Sequence, residues 1–338
     1  MNRMMKKILT IFLLVGSIVS AGVGMESQLS TSCANAFTTA ETVRLSGKAK
    51  EDYVAQRMYA LFHPDGGAKP AAPIFEIPAG YIHTKNVFKE TKTELLAPIK
   101  ITTNKVILQF HGGGYVQSLG NGHRNLAFIQ SQMAGAAPVY LLDYRIAPAY
   151  SYPAALEDGI NAYQELLSKG YKSEDIIIIG DSAGGNLALA TALYLKDHNL
   201  PQPGALVLIS PWLMMENTLP SRSSNFYKDA VLGAQGAPLV PEIARPRYAV
   251  GADLKDQYLS PLYGDFKGLP PMLIQTGGNE TLLDDSLELA QKAKKAGVKV
   301  VQTTYKGMPH DFAVCMPDLE DSRKSWEELG YFLQKYVR

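Results

Sequence analysis

Ile176-Ile177-Ile178-Ile179-Gly180-Asp181-Ser182-Ala183-Gly184-Gly185-Asn186 is the stretch on which the fold turns. Four consecutive isoleucines form a continuous β-branched run, which suits a strand covered on both faces of a sheet. Small residues then crowd around a single serine, and a helical pattern follows over Gly185–Lys196. A serine placed on a tight strand-to-helix turn needs such neighbours, because its backbone is strained and larger side chains would clash. The turn lifts the Ser182 hydroxyl clear of the sheet and aims the Ala183 N–H at an oxygen that gains negative charge. The Gly-x-Ser-x-Gly pattern alone recurs by chance. A strand before it and a helix after it are what give it weight.

Outward from this turn, β-branched apolar runs alternate with helical patterns from about Lys105 onward. Strands are expected at Lys105–Phe110, Pro138–Asp143, Asp175–Ile179, Ala205–Ser210, Met272–Thr276 and Val298–Tyr305. Helices are expected near Arg124–Met133, Ala154–Lys169, Gly185–Lys196, Glu280–Ala296 and Leu319–Tyr336, with Pro153 placed for a first helical position. The alternation predicts the α/β class: a mostly parallel central sheet with helices on both faces. Two segments do not fit it, about 37–85 before the sheet and 213–258 between two strands. Both are read as cap elements over the strand C-terminal ends, where open α/β sheets bind ligands.

Three more sites carry chemistry. His111-Gly112-Gly113-Gly114 ends the Lys105–Phe110 strand, and glycines there let backbone N–H groups approach a substrate carbonyl. Gly112 and Gly113, with Ala183, are the expected oxyanion donors, although the sequence leaves open which pair of the glycines faces the substrate. A serine on such a turn has its partners in the chain order acid, then histidine. Only His198 and His310 follow Ser182, and His198 precedes any candidate acid strand, so His310 is the expected general base. The acid lies in Gly277-Gly278-Asn279-Glu280-Thr281-Leu282-Leu283-Asp284-Asp285. Glu280 is nearest the strand end, Asp284 is one helical turn on, and Asp285 is expected at an exposed helix start.

These residues, with Asp143-Tyr144-Arg145-Ile146-Ala147-Pro148, Tyr152-Pro153-Ala154-Ala155-Leu156-Glu157-Asp158, Ser210-Pro211-Trp212 and Ser260-Pro261-Leu262, resemble the hormone-sensitive-lipase family of α/β-hydrolases. The resemblance covers roughly residues 105 to 315. It implies the α/β-hydrolase fold and a serine carboxylesterase acting on short- to medium-chain acyl esters through an acyl-enzyme. It places the acid at Glu280, with Asp284 as a supporting residue. Ala149 and Met214 stand where the family usually has acidic residues, and the first 100 residues match weakly. The chemistry calls for no metal and no organic cofactor. A peptidase or amidase could use the same residues, though three oxyanion glycines favour esters. A non-catalytic binding protein would have lost the serine or histidine, and both are present.

Hydrophobic residues make up 46% and charged residues 19%, enough for a large core. A net charge of +1 gives no electrostatic footprint for nucleic acid or an anionic membrane; the partner that the resemblance implies is a small-molecule ester. The oligomeric state is left open. Arg3, Lys6 and Lys7 precede the apolar run Ile8–Val23, and Ala34-Asn35-Ala36 follows it. This is the layout of a secretory signal peptide over 1–36, cleaved after Ala36 to leave a single catalytic domain, 37–338, secreted and free of the membrane. The alternative is an uncleaved N-terminal membrane anchor. Of the two cysteines, Cys33 and Cys315, only Cys315 remains after cleavage, which excludes an internal disulfide.

Overall fold

The isoleucine run is buried along its whole length in the interior of an eight-stranded sheet. The computed structural model describes residues 42–62, 73–234 and 239–337. The signal-peptide reading of 1–36 and parts of both expected cap segments lie outside the described residues. In chain order the strands are β1 (Tyr81–Phe88), β2 (Thr91–Pro98), β3 (Val106–Phe110), β4 (Val139–Asp143), β5 (Ile176–Asp181), β6 (Ala205–Ile209), β7 (Met272–Gly277) and β8 (Val300–Tyr305). The longer helices are α1 (Gly47–Phe62), α2 (Asn121–Met133), α3 (Ala154–Ser168), α4 (Ala183–Asp197), α5 (Leu283–Lys295) and α6 (Glu320–Tyr336).

The strand order is β1-β2-β4-β3-β5-β6-β7-β8. The strands from β3 to β8 pair in parallel, while β2 runs antiparallel to both β1 and β4. β3, β5, β6 and β7 are buried throughout, as expected for strands with helices on both faces. Each strand and helix expected from Lys105 onward appears close to its expected bounds. Pro153 caps α3 instead of opening it.

The sheet starts earlier than the sequence reading placed it. The end of the expected 37–85 cap segment, from Tyr81 on, is strand β1, and β2 follows it. β1 is an edge strand with no fully buried residue, so it shows no apolar run to read. Its connection to β2 is the two-residue turn Lys89-Glu90, with φ of 46° and 71°. Those angles belong to the hairpin turn that ordinarily takes Asn-Gly, and that cue is missing here.

The described part of the N-terminal segment is tied to the far end of the chain. Val43 bridges Leu319, Lys50 pairs with Asp321 at 2.7 Å, and the Tyr53 hydroxyl donates to Asp318 at 3.0 Å. The described residues of the 213–258 segment carry only short helical turns. A cavity of about 230 Å³ separates α1 (Val54, Ala55) from Lys228 and Ala230 of this insertion and from the loops after β7 and β8 (Asn279, Pro309). Helix α1 and this described part of the insertion thus stand at the C-terminal ends of β7 and β8.

Candidate active site

Ser182 sits between β5 and α4 with φ 52° and ψ −117°, a conformation that costs a non-glycine residue roughly 1–3 kcal/mol. The neighbouring chain fixes it. Ser182 N–H donates to Ile209 O at 2.9 Å, and Ser182 O accepts from Trp212 N–H at 3.0 Å and Asn186 N–H at 3.1 Å. The small residues of the turn have a steric reason. A Cβ on Gly184 would lie 2.1 Å from Phe110 O, so α4 could not pack so closely under β3.

Residues at the ends of successive parallel strands converge on this serine. His310, after β8, places Nε2 3.0 Å from Ser182 Oγ. Its Nδ1 lies 2.9 Å from Glu280 Oε2, after β7. A carboxylate only accepts, so Nδ1 carries the proton and Nε2 faces the hydroxyl. The other oxygen of Glu280 accepts from Ser210 Oγ at 3.1 Å, after β6, and from Thr276 Oγ1 and Gly277 N–H. All three residues, Ser182, Glu280 and His310, are nearly or wholly buried. Burial lifts the Glu280 carboxyl above its usual range, with His310 opposing. For His310, burial acts to lower the imidazole pKa, but the carboxylates of Asp311 and Glu280 outweigh it and hold it well above the usual value.

The insertion grips the loop that presents Glu280. Asn225 Nδ2 donates to Glu280 O at 3.0 Å, and Asp229 accepts from Thr281 N–H at 2.7 Å. Asp284 accepts from Ser221 N–H at 2.7 Å. Asp285 is not at an exposed helix start. It is fully buried, accepts from Leu213 and Met214 N–H at 2.8 and 3.1 Å, and pairs with Arg222 at 2.6 Å. An acidic residue in a helix first turn reads as solvent-facing unless its cationic partner is known, and Arg222 is remote in sequence.

The glycine loop is braced from beneath. His111 stacks on Tyr144 with ring centroids 4.1 Å apart, and its Nδ1 donates to Gly112 O at 2.8 Å. Tyr144 Oη donates to His111 O at 2.6 Å. Burial, with His123 nearby, holds the His111 imidazole down at about 3, so it is neutral and structural. The Gly112 N–H, expected to face an oxyanion, instead donates to Asp181 Oδ2 at 3.0 Å. Asp181, the residue just before the serine, thereby takes up one of the amides expected to serve the oxyanion. Among the described residues, the N–H groups of Gly113, Gly114 and Ala183 donate to no protein acceptor. Gly113 has φ 110°, which only glycine adopts readily.

One group near the serine was not singled out from sequence. The Asp311 carboxylate lies 3.1 Å from His310 Nε2. In Met308-Pro309-His310-Asp311-Phe312 nothing separates it from an ordinary surface acid. Cys315 is a free thiol, half-buried, and its pKa is pushed up by burial.

Residues 107–314 match the alpha/beta hydrolase fold family. An acetyl-hydrolase from Streptomyces hygroscopicus is 36% identical over 230 residues, which are 68% of this chain and 75% of that protein. An esterase from Acinetobacter venetianus is 32% identical over 262 residues, covering 73% and 84%. Among solved structures, an esterase of the bacterial hormone-sensitive lipase family superposes with a TM-score of 0.76 at 31% identity, covering 87% of this chain and all of that one. An esterase crystal soaked with p-nitrophenyl butyrate gives 0.75 at 32%, covering 86% and 99%.

Proposed function

Since the chain belongs to the α/β-hydrolase family, in its hormone-sensitive-lipase branch, and is a carboxylesterase-type hydrolase, we propose that it cleaves short- to medium-chain acyl esters through Ser182, His310 and Glu280. The observation that carries this reading is the continuous chain from Ser182 Oγ through His310 to Glu280, with contacts of 3.0 and 2.9 Å.

His310 Nε2 takes the hydroxyl proton as Ser182 Oγ attacks the ester carbonyl. Glu280 accepts from Nδ1–H, keeps the imidazole in the right tautomer and stabilises the imidazolium. The oxyanion is held by Ala183 with Gly113 and Gly114, whose amides have no competing acceptor, while Gly112 locks the loop to Asp181. The alcohol leaves with the proton from Nε2, and water hydrolyses the acyl-enzyme by the same route in reverse roles.

A series of p-nitrophenyl esters from acetate to palmitate, run beside peptide anilides on mature protein, tests the substrate class. Turnover is expected to peak among the shorter acyl groups and to be negligible on amides; preference for palmitate or for amides overturns it. The basic and apolar pattern of the first residues supports a second part of the proposal, export with cleavage after Ala36.

A further inference from the structure

His310 has carboxylates on both edges. Glu280 accepts from Nδ1 at 2.9 Å, and Asp311 Oδ2 stands 3.1 Å from Nε2, the atom that must receive the Ser182 proton. A neutral imidazole presents a lone pair at Nε2, and an ionised carboxylate beside a lone pair is repelled. The same carboxylate beside Nε2–H of an imidazolium is attracted. Asp311 therefore favours the charged form of His310 before a substrate arrives as well as during attack.

Asp311 is held where it is. It has φ 51°, its N–H donates to Ser210 Oγ at 3.2 Å, and its own backbone carbonyl accepts from Cys315 N–H at 2.9 Å. Ser210 also donates to Glu280, so one hydroxyl joins the supports of both carboxylates. Asp311 Oδ1 is buried with no hydrogen-bond partner, and among the described residues His310 is the side chain that forms an ion pair with this carboxylate. The groups facing the pair are Asp181 from the serine turn, Glu280 from the loop after β7, Asp229 from the insertion, and Cys315 from the following helical turn, with Arg57 of α1 acting on Cys315. Apart from that arginine, these charges are negative or neutral, so they too favour a proton on His310. Burial and the nearby Asp181 and Glu280 charges lift the Asp311 carboxyl to about 6 even though His310 opposes them.

We infer that Asp311 is a positioning residue that grips the Nε2 edge of the His310 imidazolium and so sets the pH at which the resting enzyme can begin a turnover. At low pH the Nε2 proton is shared with the Asp311 side and no lone pair is free. The proton must leave to solvent before Ser182 can transfer its own. This inference rests on the proposed role of His310.

The experiment has two arms on the full mature chain. In the first, the His310 ring is followed by NMR with labelled histidine across pH, its peak identified by loss in His310→Asn. In the second, kcat/KM for p-nitrophenyl acetate is measured across the same range, where the acid limb reports the free enzyme's base. Asp311→Asn removes the charge, and asparagine accepts a left-handed φ. An opposite charge at this distance shifts a pKa by about 1–3 units. The wild-type ring is expected to titrate above the ordinary histidine value of about 6.5. In Asp311→Asn both the ring midpoint and the acid limb are expected to fall by about one unit or more. Unmoved midpoints in the variant, or a wild-type ring that titrates at or below the ordinary value, overturn the inference; should Asp311→Asn fail to fold, Asp311→Gly, which removes the same charge and accepts the positive φ, is read in the same way. Failure of the underlying reading looks different: His310→Ala or Ser182→Ala would keep esterase activity, while the ring titration still reports what Asp311 does.

Discussion

Glu280→Gln is expected to cut kcat by about 10⁴-fold, as loss of the orienting carboxylate does in another serine hydrolase, with a small change in Tm. Asp285→Asn is expected to behave in the opposite way. It leaves the Arg222 guanidinium buried without a full counter-charge and should cost about 3 kcal/mol of stability, while the remaining folded enzyme turns over normally. Asp284→Asn lies between, since it weakens one hydrogen bond to Ser221. Steady-state rates and thermal melts on the three variants separate the roles, and a stable but inactive Asp284→Asn enzyme would move the acid. Ser182→Ala and His310→Ala should each lower kcat by up to about 10⁶-fold without unfolding the protein, and an organophosphonate should label Ser182 alone. At this scale the sequence was legible where backbone geometry restricts residue type. The serine turn and the glycine loop are of that kind, and chain order then picked His310 out of the two histidines downstream. It was not legible where a role depends on a distant partner. Asp181 engages Gly112, Asp285 meets Arg222, and Asp311 faces His310 only because of side-chain directions that no local spacing encodes.

The hairpin of β1 and β2 shows the same contrast among elements. The parallel strands could be read because both faces are buried, whereas β1 is solvated and its turn lacks glycine. What secures this edge is Glu94 on β2. It accepts from Arg124 Nε and Nη2 of α2 at 2.6 and 2.7 Å and lies 2.8 Å from His83 Nε2 on β1. Burial acts to raise the Glu94 carboxyl, but hydrogen bonds from Arg124 and His83 outweigh it and hold it down at about 2. A depressed carboxyl stabilises the fold above its unfolded value and loses that contribution as pH falls through the folded value. Glu94→Gln should therefore cost about 2 kcal/mol at neutral pH. The gap between variant and wild type should close as pH falls from about 4.5 towards about 2. Urea melts at several pH values check this, and a pH-independent gap would assign the loss to packing.

For the whole molecule, the N-terminal sequence bears on how the chain reaches its place of work. Among the described residues, no helix is long and apolar enough to cross a membrane. Protein recovered from culture fluid is expected to begin at Phe37 by N-terminal sequencing, whereas a lipid-bearing start at Cys33 or an intact N-terminus in the membrane fraction would reject cleavage after Ala36. The tie between α1 and the far end of the chain bears on how such a protein matures. Lys50 and Tyr53 find their partners at Asp321 and Asp318, 271 and 265 residues later. A polypeptide that emerges N-terminus first therefore carries α1 without these two partners until Asp318 and Asp321 have been made. The proposed base, His310, is also late to appear. A nascent or truncated chain would hold a finished serine turn but no means of using it. Competence would come only once His310 has been made and folded in, so the serine turn stays silent while the 128 residues that separate the two are being synthesised.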